Sequence, residues 1–408
     1  MPKLDVDFVR SNFPAFSEPA LQGQAFFENA GGSYTSKFVI DRLSRFYCER
    51  KVQPYANYTA SSLGGAEMDE ARTRLAALIG VKAEQLSFGP STSQNTYVLA
   101  QAFRELLSAG DAIIVTNQDH EANSGVWRRL DARGIDVREW KMDPLTGHLS
   151  LDALDALLDD KVKLVCFPHC SNIVGEINDV AAITKRVRDA GAYTCVDGVS
   201  YAPHGFPNFD ALGADVYLFS SYKTYGPHQG VMVLSDRLNA ALPNQGHYFN
   251  AGSAYKRFTP AGPDHAQIAA SAGMADYIDA LYQHHFVDDG DPAMRNTAVH
   301  DLMRDAEIEN LQPLLDAMAD KNSVRLLGPT EAANKAPTVA VVPKGNPAEL
   351  ARELSKHGIM CDGGDFYAVR CIEGQGEDAH KGVLRLSFVH YTSKEEIDRL
   401  LNALDHVL

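Results

Sequence analysis

The chain has 408 residues, of which 45% are hydrophobic and 22% are charged. This composition is typical of a folded globular protein and excludes the disordered and fibrous classes, and the length is sufficient for two domains with substantial cores. Lys and Arg total 38 against 53 Asp and Glu, which gives a formal charge of −15. Because duplex binding normally requires a basic surplus, this balance argues against nucleic acid as a partner.

The amino terminus and the cysteines together predict a cytoplasmic protein. The opening sequence MPKLDVDFVRSNFPAF contains acidic residues and two prolines, where a secretory signal requires a basic start and a continuous apolar stretch. No window approaches the ~20 apolar residues of a membrane span, so we expect no membrane partner. Cys166 and Cys195 lie in apolar runs that read as buried strands, which indicates reduced thiols.

Short β-branched runs alternate with amphipathic segments between about residues 64 and 235. The amphipathic segments include SQNTYVLAQAFRELL and VAAITKRVRDA. This alternation predicts an α/β domain with a mostly parallel sheet flanked by helices, whose ligands gather at the carboxyl ends of the strands. The predicted strands are 112–116, 162–168, 192–197, 215–220 and 230–234.

After residue 245 the pattern changes to that of a second domain. A Gly/Pro/Asn-rich segment at 243–264 precedes predicted helices at 265–284 and 295–320. Three short strands (VRLLG, TVAVV and VLRLSF) and the closing helix SKEEIDRLLNALDHVL follow. We predict a large domain at 21–290, a smaller α+β domain at 291–408, and an arm at 1–20 that packs on the small domain.

The acidic segment DDGDP at 288–292 lies beside His284 and His285. Carboxylates and imidazoles of this kind can bind a metal ion. A solvated turn is the more common role of such a segment, and we predict no metal site here.

Lys223 follows a predicted buried strand in the segment SSYKTYGPHQG. A lysine in such a turn is usually solvated, but a desolvated amine in a cleft can condense with an aldehyde cofactor. Asp197 ends the preceding strand and is expected at the same edge of the sheet. A carboxylate there suits the ring nitrogen of pyridoxal phosphate (PLP), although it can equally cap the loop at Gly198.

Two further segments point to the same edge. Thr92 and Ser93 begin a predicted helix after the strand LSFG, and amides and hydroxyls at a helix amino terminus bind phosphate, although simple capping requires no ligand. His120 follows another strand, where its imidazole can stack on a flat ring or lie on a surface loop. Several such features, each at the carboxyl end of a strand, favour a cofactor site over coincidence.

In these residues the chain resembles the cysteine desulfurase branch of the class V aminotransferases, which are PLP enzymes of fold type I. The resemblance runs from FFENAGGS near residue 27 to the closing helix and rests on DHEAN, HCSNIVGEI, VDGVS, SSYKTYGP and LRLSFVHYTSKEEID in combination. It implies that the large domain binds PLP and that the enzyme is a homodimer with its active site at the subunit interface.

The resemblance also implies roles for individual residues. Lys223 would form the internal aldimine, Asp197 would pair with the pyridine nitrogen, and His120 would stack on the ring. The remaining implied cofactor contacts are Thr92, Ser93, Asn172, Ser200, Ser220 and Tyr222. The implied substrate contacts are Asn29, Ala30, Gly31, Asn172 and Arg385. The guanidinium of Arg385 suits bidentate binding of a carboxylate, but by sequence alone it can also be a strand arginine with an acidic neighbour.

The chain departs from the family at several cofactor contacts. Ser200 stands where the family often has glutamine, and Tyr222 stands where histidine usually precedes the lysine. The family's dimers often lend a Gly-Thr pair to the partner's phosphate, whereas the matching stretch TPAGPDHAQ offers Gly262 and Pro263. Because proline has neither a hydroxyl nor an N–H, the resemblance does not extend to that contact.

The largest departure concerns the nucleophile of a desulfurase, a thiolate on a loop shortly before the carboxylate-binding arginine. An ungapped comparison through IMCDGGDFYAVRCIEG places Tyr367 at the cysteine position and Asp362 at that of a nearby arginine. Cys361 and Cys371 flank the site and would replace the missing thiol only in a differently built loop. We interpret both as structural thiols.

The sequence therefore predicts a PLP enzyme that binds a small L-amino acid as an external aldimine and removes its α-proton with Lys223. The favoured outcome is a desulfurase-like carbon–sulfur lyase without the persulfide cysteine. An aminotransferase or an epimerase is the alternative, and Asp362 can instead meet a cationic substrate. A noncatalytic scaffold is disfavoured by the joint presence of the site residues, and a nucleotide-binding module by the lack of a glycine-rich motif after a strand.

Overall fold

The computed structural model describes residues 2–260, 262 and 264–408. The strands are β1 (Ala25–Phe26), β2 (Leu86–Gly89), β3 (Ala112–Thr116), β4 (Asp136–Trp140), β5 (Val162–Pro168), β6 (Tyr193–Asp197), β7 (Val216–Ser220), β8 (Gly230–Leu234), β9 (Val324–Leu326), β10 (Thr338–Pro343), β11 (Ile359–Met360), β12 (Asp362–Gly364) and β13 (Val383–Ser387). The helices are α1 (Val6–Arg10), α2 (Lys37–Glu49), α3 (Thr59–Leu78), α4 (Thr92–Leu106), α5 (Gly125–Arg128), α6 (Leu151–Asp155), α7 (Val180–Asp189), α8 (Phe209–Leu212), α9 (Asp236–Ala241), α10 (His265–Ala270), α11 (Ala272–His285), α12 (Pro292–Asp320), α13 (Pro347–Lys356), α14 (Val369–Gly374) and α15 (Lys394–Val407).

The central sheet has the strand order β2-β8-β7-β6-β5-β3-β4. Only β8 among these strands runs antiparallel to its neighbours, so the sheet is mostly parallel, as predicted. Both faces are covered, because Ile113 and Val115 of β3 pack into one apolar cluster and Ile114 packs into the other. Apolar runs such as VKLVCFP therefore become strands buried on both faces.

Two features of the central sheet did not follow from the sequence. The strand Asp136–Trp140 was not predicted, because its sequence DVREW mixes charged and apolar residues and it lies at the sheet edge, paired with β3 alone. The antiparallel direction of Gly230–Leu234 was also not predicted, since a run of buried apolar residues looks the same in either direction.

The carboxyl ends of β2, β3, β6 and β7 lie at one edge of this sheet. These strands run in the same direction, since β8 is antiparallel to both β2 and β7 and the others pair in parallel. The segments that follow them contain Thr92, His120, Asp197 and Lys223. The topology therefore collects the predicted cofactor residues at this edge, as the rule for open α/β sheets requires.

The carboxyl-terminal part is built on the antiparallel sheet β12-β13-β10-β9. Its apolar face packs with α12 and α15 in a separate cluster that includes Leu314, Leu386 and Leu400. Strand β1 from the start of the chain pairs with β11, and a bridge from Glu28 to Ser387 continues the contact. This pairing attaches the start of the chain to the carboxyl-terminal part. Just after the turn at residues 29–32, the Ser33 N–H donates to the Tyr222 carbonyl at 3.0 Å, next to Lys223.

The predicted carboxyl-terminal helices are present with different limits. Helix α12 begins at Pro292 rather than at 295, because Asp291 caps it and proline is favoured in the first turn. The predicted helix at 265–284 is divided at Ser271 into α10 and α11.

The amino-terminal arm contacts both parts of the molecule. Arg10 forms an ion pair with Glu396 at 2.8 Å, and Phe13 is buried against aromatic rings of both parts, including Tyr277 and Tyr391. His284 and His285 each form a 2.9 Å hydrogen bond with Asp5, through its carboxylate and its N–H respectively. The domain limits at residues 20 and 290 stay predictions.

No helix in the described part of the chain is long and apolar enough to cross a lipid bilayer. Within the same residues, His, Cys, Asp and Glu side chains form no group of three or more that could hold a metal ion. The first four residues of DDGDP, 288–291, form a loop, in which Asp288 accepts a hydrogen bond from the Tyr282 hydroxyl at 2.9 Å. Asp291 of that loop caps α12.

Candidate active site

A cavity of ≈ 240 Å³ lies at the carboxyl edge of the central sheet. Nine residues named from the sequence line it: Thr92, Ser93, His120, Asn172, Asp197, Ser200, Ser220, Tyr222 and Lys223. The structure adds lining residues that sequence reasoning missed: Ser91, Asp119, Ala122, Cys170, Val199 and His228. Asp119 stands next to His120 in DHEAN, and His228 lies five residues after Lys223 in SSYKTYGPHQG. This closeness along the chain was the signal that could have identified both as lining residues.

Lys223 is buried in the short turn that follows β7. Burial, with a smaller contribution from the nearby positive charge of Arg385, lowers the pKa of its ammonium group to about 8. Burial disfavours the charged form, because a low-dielectric environment solvates an ammonium poorly. At neutral pH the share of neutral, nucleophilic amine is therefore larger than for a solvated lysine, and it becomes the major form above about pH 8.

Cofactor uptake by the cofactor-free protein is expected to become faster as the pH rises. Since the pKa of Lys223 is about 8, the neutral amine predominates above that pH and the unreactive ammonium below it. The measurement is the rate at which the absorption band of bound PLP appears across this pH range. A midpoint near the ordinary lysine value of 10.5 would contradict the environment described for Lys223.

Asp197 ends β6 and is held by the N–H of Val199, which donates to its Oδ1 at 2.8 Å. Burial raises the pKa of Asp197 to about 6, and burial together with the charge of Asp197 raises the pKa of Asp119 well above its usual range. Two buried carboxyl groups so close together resist joint ionisation. A cationic ring nitrogen placed beside Asp197 would favour its ionised form.

His120 presents a neutral imidazole to the cavity. Its Nδ1 accepts a hydrogen bond from the N–H of Ala122 at 3.0 Å, which leaves the proton on Nε2. Burial lowers the pKa of His120 to about 3, with smaller contributions from the positive charges of Lys223 and Arg385. An uncharged flat ring in this position suits stacking on a heteroaromatic cofactor.

The part of the cavity at the start of α4 has the features of an anion site. Helix α4 begins at Thr92, whose hydroxyl lies 2.8 Å from that of Ser220. A Cβ at Gly230 would overlap the backbone of Ser91 and Thr92, so glycine permits this close approach. The amides and hydroxyls at the start of this helix fit a phosphate group.

Tyr222 also lines the cavity, and its ring centroid lies 6.0 Å from Lys223 Nζ. Its ring stacks on His228, with centroids 4.8 Å apart and an interplanar angle of 7°. The neutral imidazole of His120, the buried Lys223 and Asp197, and the start of α4 match the ring, aldehyde and phosphate of PLP. The residues present therefore fit this cofactor.

Asn29 and Ala30 line a small crevice that shares Lys223 with the main cavity. The side chain of Asn29 is engaged within the protein, since it donates to the carbonyl of Ser387 at 3.3 Å and accepts from the hydroxyl of Tyr391. Ala30 also lines the crevice, and its methyl group forms no hydrogen bond of this kind. Gly31 lines neither space.

Arg385 is buried beside the cavity and does not line it. Its Nη2 pairs with Glu28 Oε1 at 2.6 Å, and its Nη1 donates to the carbonyl of Asn172 at 3.3 Å. The ring of Phe366 lies over the guanidinium, 3.7 Å from its carbon. Both sequence interpretations of Arg385 thus find a counterpart, since it is near the site and has an acidic neighbour.

The loop before β13 holds the position that the resemblance gives to the desulfurase cysteine. Phe366 and Tyr367 both have left-handed backbones, with φ of 50° and 56°. Tyr367 is 74% exposed, and its ring centroid lies 5.7 Å from that of His120. Burial raises the pKa of the Cys361 and Cys371 thiols to about 12, so both stay protonated at neutral pH.

The stretch that the resemblance matches to the cross-subunit phosphate contact is only partly described. Gly262 lines a separate cavity of ≈ 280 Å³, together with residues such as Arg72 and Tyr255. Pro263 lies outside the described residues.

The fold and the cavity define a PLP-dependent enzyme of fold type I. Residues 25–266 and 294–400 match the family model described as aminotransferase class-V. The chain therefore belongs to the class V aminotransferase family, whose members depend on PLP.

Similar proteins cover nearly the whole chain. The aminotransferase-like protein FGM3 of Gibberella zeae is 32% identical over an alignment of 417 residues, which covers 99% of this chain and 98% of the relative. A cysteine desulfurase of Serratia proteamaculans is 27% identical, with 98% of each chain covered.

Solved structures agree with the fold. The cysteine desulfurase from Thermococcus onnurineus NA1 has a TM-score of 0.86 at 23% identity, covering 100% of this chain and 98% of that one. The cysteine desulfurase CsdA from Escherichia coli has a TM-score of 0.81 at 22% identity, covering 99% and 98%. At these identities the likeness shows the fold alone, and it confirms the predicted fold type I.

Proposed function

We propose that this enzyme acts on a small L-amino acid by removing its α-proton with Lys223. The observation that carries this proposal is the meeting of a buried lysine, a buried aspartate and a neutral imidazole around one cavity. PLP, when bound, supplies an electron-withdrawing ring that stabilises a negative charge at the substrate Cα. Asp197 holds a proton at the ring nitrogen, His120 covers one face of the ring, and Lys223 Nζ carries the α-proton.

The outcome we favour is carbon–sulfur bond cleavage without a protein persulfide. Support comes from the loop position occupied by Tyr367, which has no thiol, and from the two flanking cysteines. Cys371 is fully buried, with its Sγ 3.9 Å from Ser171 Oγ, and Cys361 is half-buried. With both thiols protonated, the β-carbon–sulfur bond would break with the electron pair leaving on sulfur, which takes up a proton and departs as sulfide or a thiol.

Transamination or epimerisation is the alternative outcome. Its support is the relative from Gibberella zeae, which is described as aminotransferase-like and is 32% identical to this chain. All of these reactions share α-proton removal, so they require the same roles of Lys223 and Asp197. They differ in where the proton and the leaving group go next.

We also propose that the enzyme is a cytoplasmic homodimer. Support for a dimer comes from the family resemblance and from Tyr248 and Phe249, which are 89% and 70% exposed. Large apolar side chains exposed together are typical of interaction surfaces. The cysteines in the described residues form no disulfide, which is compatible with a reducing compartment.

The proposed function is tested by the visible absorption spectrum of the PLP-loaded protein before and after addition of cysteine, alanine, aspartate and ornithine. A yellow band that shifts with an amino acid, followed by sulfide release from cysteine, is the expected result. Release of a keto acid without sulfide would support the aminotransferase instead. A protein that stays colourless with PLP would refute the proposal.

The matched variant for this test carries Cys361→Ala and Cys371→Ala. Because both thiols stay protonated at neutral pH, we expect the variant to release sulfide at a rate within about twofold of the parent. Loss of sulfide release in a variant that retains the absorption band would instead assign a catalytic thiol to this loop.

A further inference from the structure

Glu28 occupies the guanidinium that the family resemblance assigns to the substrate carboxylate. Its Oε1 lies 2.6 Å from Arg385 Nη2, and Arg385 is 3% exposed. In such buried surroundings a carboxylate offsets most of the positive charge of its partner. An incoming carboxylate therefore meets a pair of opposite charges at Arg385 rather than an isolated cation.

The turn is shaped to place Glu28 at this position. A bridge between Glu28 and Ser387 fixes the backbone, and the side chain then folds back over Gly31. A Cβ at Gly31 would lie only 2.8 Å from Glu28 Oε1 and 3.2 Å from the Glu28 carbonyl oxygen. The absence of a side chain at Gly31 thus leaves room for the carboxylate.

Three buried polar atoms, two in this ion pair and one in the neighbouring Asn172, have no hydrogen-bond partner among the described residues. They are Glu28 Oε2, Asn172 Oδ1 and Arg385 Nε. Asn172 is 4% exposed and lines the cavity. Because buried polar groups are rarely left unpaired, such a set indicates a position that a ligand completes. A carboxylate would satisfy Arg385 Nε, but the two oxygen acceptors require a hydrogen-bond donor.

The surrounding charges favour a positively charged donor. Asp362 stands opposite Arg385 in the register of β12 and β13, and its negative charge favours the charged form of the Arg385 guanidinium. With a substrate α-carboxylate at Arg385, the carboxylates of Glu28 and Asp362 leave an excess of negative charge. Lys223 is a second cation close enough to interact with Glu28 and Arg385, and its amine is engaged in the proposed chemistry. A cationic group on the substrate would restore the balance.

We propose that Glu28 is a specificity-determining residue that selects amino acids whose side chain ends in a cationic hydrogen-bond donor. In this arrangement the α-carboxylate binds Arg385 Nε, and the side-chain cation binds Glu28 Oε2 and Asn172 Oδ1. This inference rests on the α-proton removal that every outcome under the proposed function shares, because it assigns the substrate class of the same site. It goes beyond that function by excluding acidic side chains. For carbon–sulfur cleavage, the preferred substrate would be a cysteine whose sulfur carries a cationic substituent, which leaves as a thiol.

The test compares L-ornithine with L-norvaline, which has the same carbon chain without the terminal amine. Dissociation constants are obtained from the shift of the absorption band of the PLP-loaded protein, which reports binding without turnover. We expect ornithine to bind at least about tenfold more tightly than norvaline, since a charged hydrogen bond adds about that much. In Glu28→Gln the ratio should fall to about one, because the amide keeps the shape of the side chain and loses its charge.

Two further variants make the result specific. Gly31→Ala should also lower the ornithine preference, since the added Cβ displaces the Glu28 carboxylate. Glu396→Gln, which changes the comparable 2.8 Å ion pair with Arg10, should leave the preference unchanged.

Two outcomes would overturn the inference while leaving the proposed function standing. They are equal binding of ornithine and norvaline by the parent protein, and an unchanged ratio in Glu28→Gln. An unchanged ratio with tighter binding of both ligands would make Glu28 only a competitor of the substrate carboxylate for Arg385. A protein without a PLP band that responds to amino acids would instead refute the proposed function itself.

Discussion

The Lys223→Ala variant is expected to lose covalently attached PLP and nearly all activity. Lys223 is a buried lysine that lines the cavity, and in the proposed function its Nζ both attaches the cofactor and moves the α-proton. Removal of such an acid–base group lowers kcat by about 10²–10⁴-fold. Borohydride reduction followed by mass spectrometry measures the attachment directly, because reduction fixes PLP on the lysine that holds it.

Lys335 provides a matched control for this variant. It is also a fully buried lysine, and burial lowers its pKa to about 7. Its ammonium donates to the carbonyls of Val174 and Leu327, at 2.5 and 2.8 Å, and does not line the cavity. Lys335→Met should therefore retain reducible PLP. Labelling that survives in Lys223→Ala and disappears in Lys335→Met would reverse the assignment.

The Asp197→Asn variant is expected to bind PLP and to lose most of its catalytic rate. The amide still accepts the hydrogen bond from Val199, so the end of β6 should keep its conformation. It carries no negative charge to hold a proton at the ring nitrogen, and loss of one such preorganised electrostatic contact lowers kcat by about 10²–10³-fold. The measurement is kcat together with the absorption band of bound PLP.

Thermal unfolding separates a catalytic effect of Asp197→Asn from a structural one. Because burial already raises the pKa of Asp197 to about 6, replacing this carboxyl group with a neutral amide should not lower Tm. A variant with an unchanged Tm and an unchanged kcat would remove Asp197 from the proposed chemistry. A variant with a lowered Tm and no PLP band would show that Asp197 acts through the fold.

The candidate cofactor site was largely predictable because its residues stand in local patterns. Thr92, His120, Asp197 and Lys223 each follow a strand that is recognisable from its apolar residues. In a parallel sheet the carboxyl ends of such strands meet at one edge, so chain order was enough to place these side chains together. The structure brings all four to one cavity, while their roles stay proposals.

The candidate substrate site was less predictable because its contacts join distant parts of the chain. Glu28 and Arg385 are separated by 357 residues, and their ion pair depends on the pairing of β1 with β11. Phe366 and Tyr367 adopt left-handed backbone conformations that the sequence does not indicate, because neither residue is glycine. The unpartnered atoms of Glu28, Asn172 and Arg385 likewise become visible only when the side chains are placed.

The sequence by itself determined the fold class and the cofactor, because apolar periodicity and the motifs at strand ends are local properties of the chain. It also indicated the candidate cofactor residues, whose contacts stay predictions. Only the tertiary structure decided the direction of Gly230–Leu234, the edge position of Asp136–Trp140 and the pairing of Glu28 with Arg385. The physical reason is that strand direction, edge exposure and charge pairing arise from long-range packing. A local pattern carries no information about which distant group a side chain will meet.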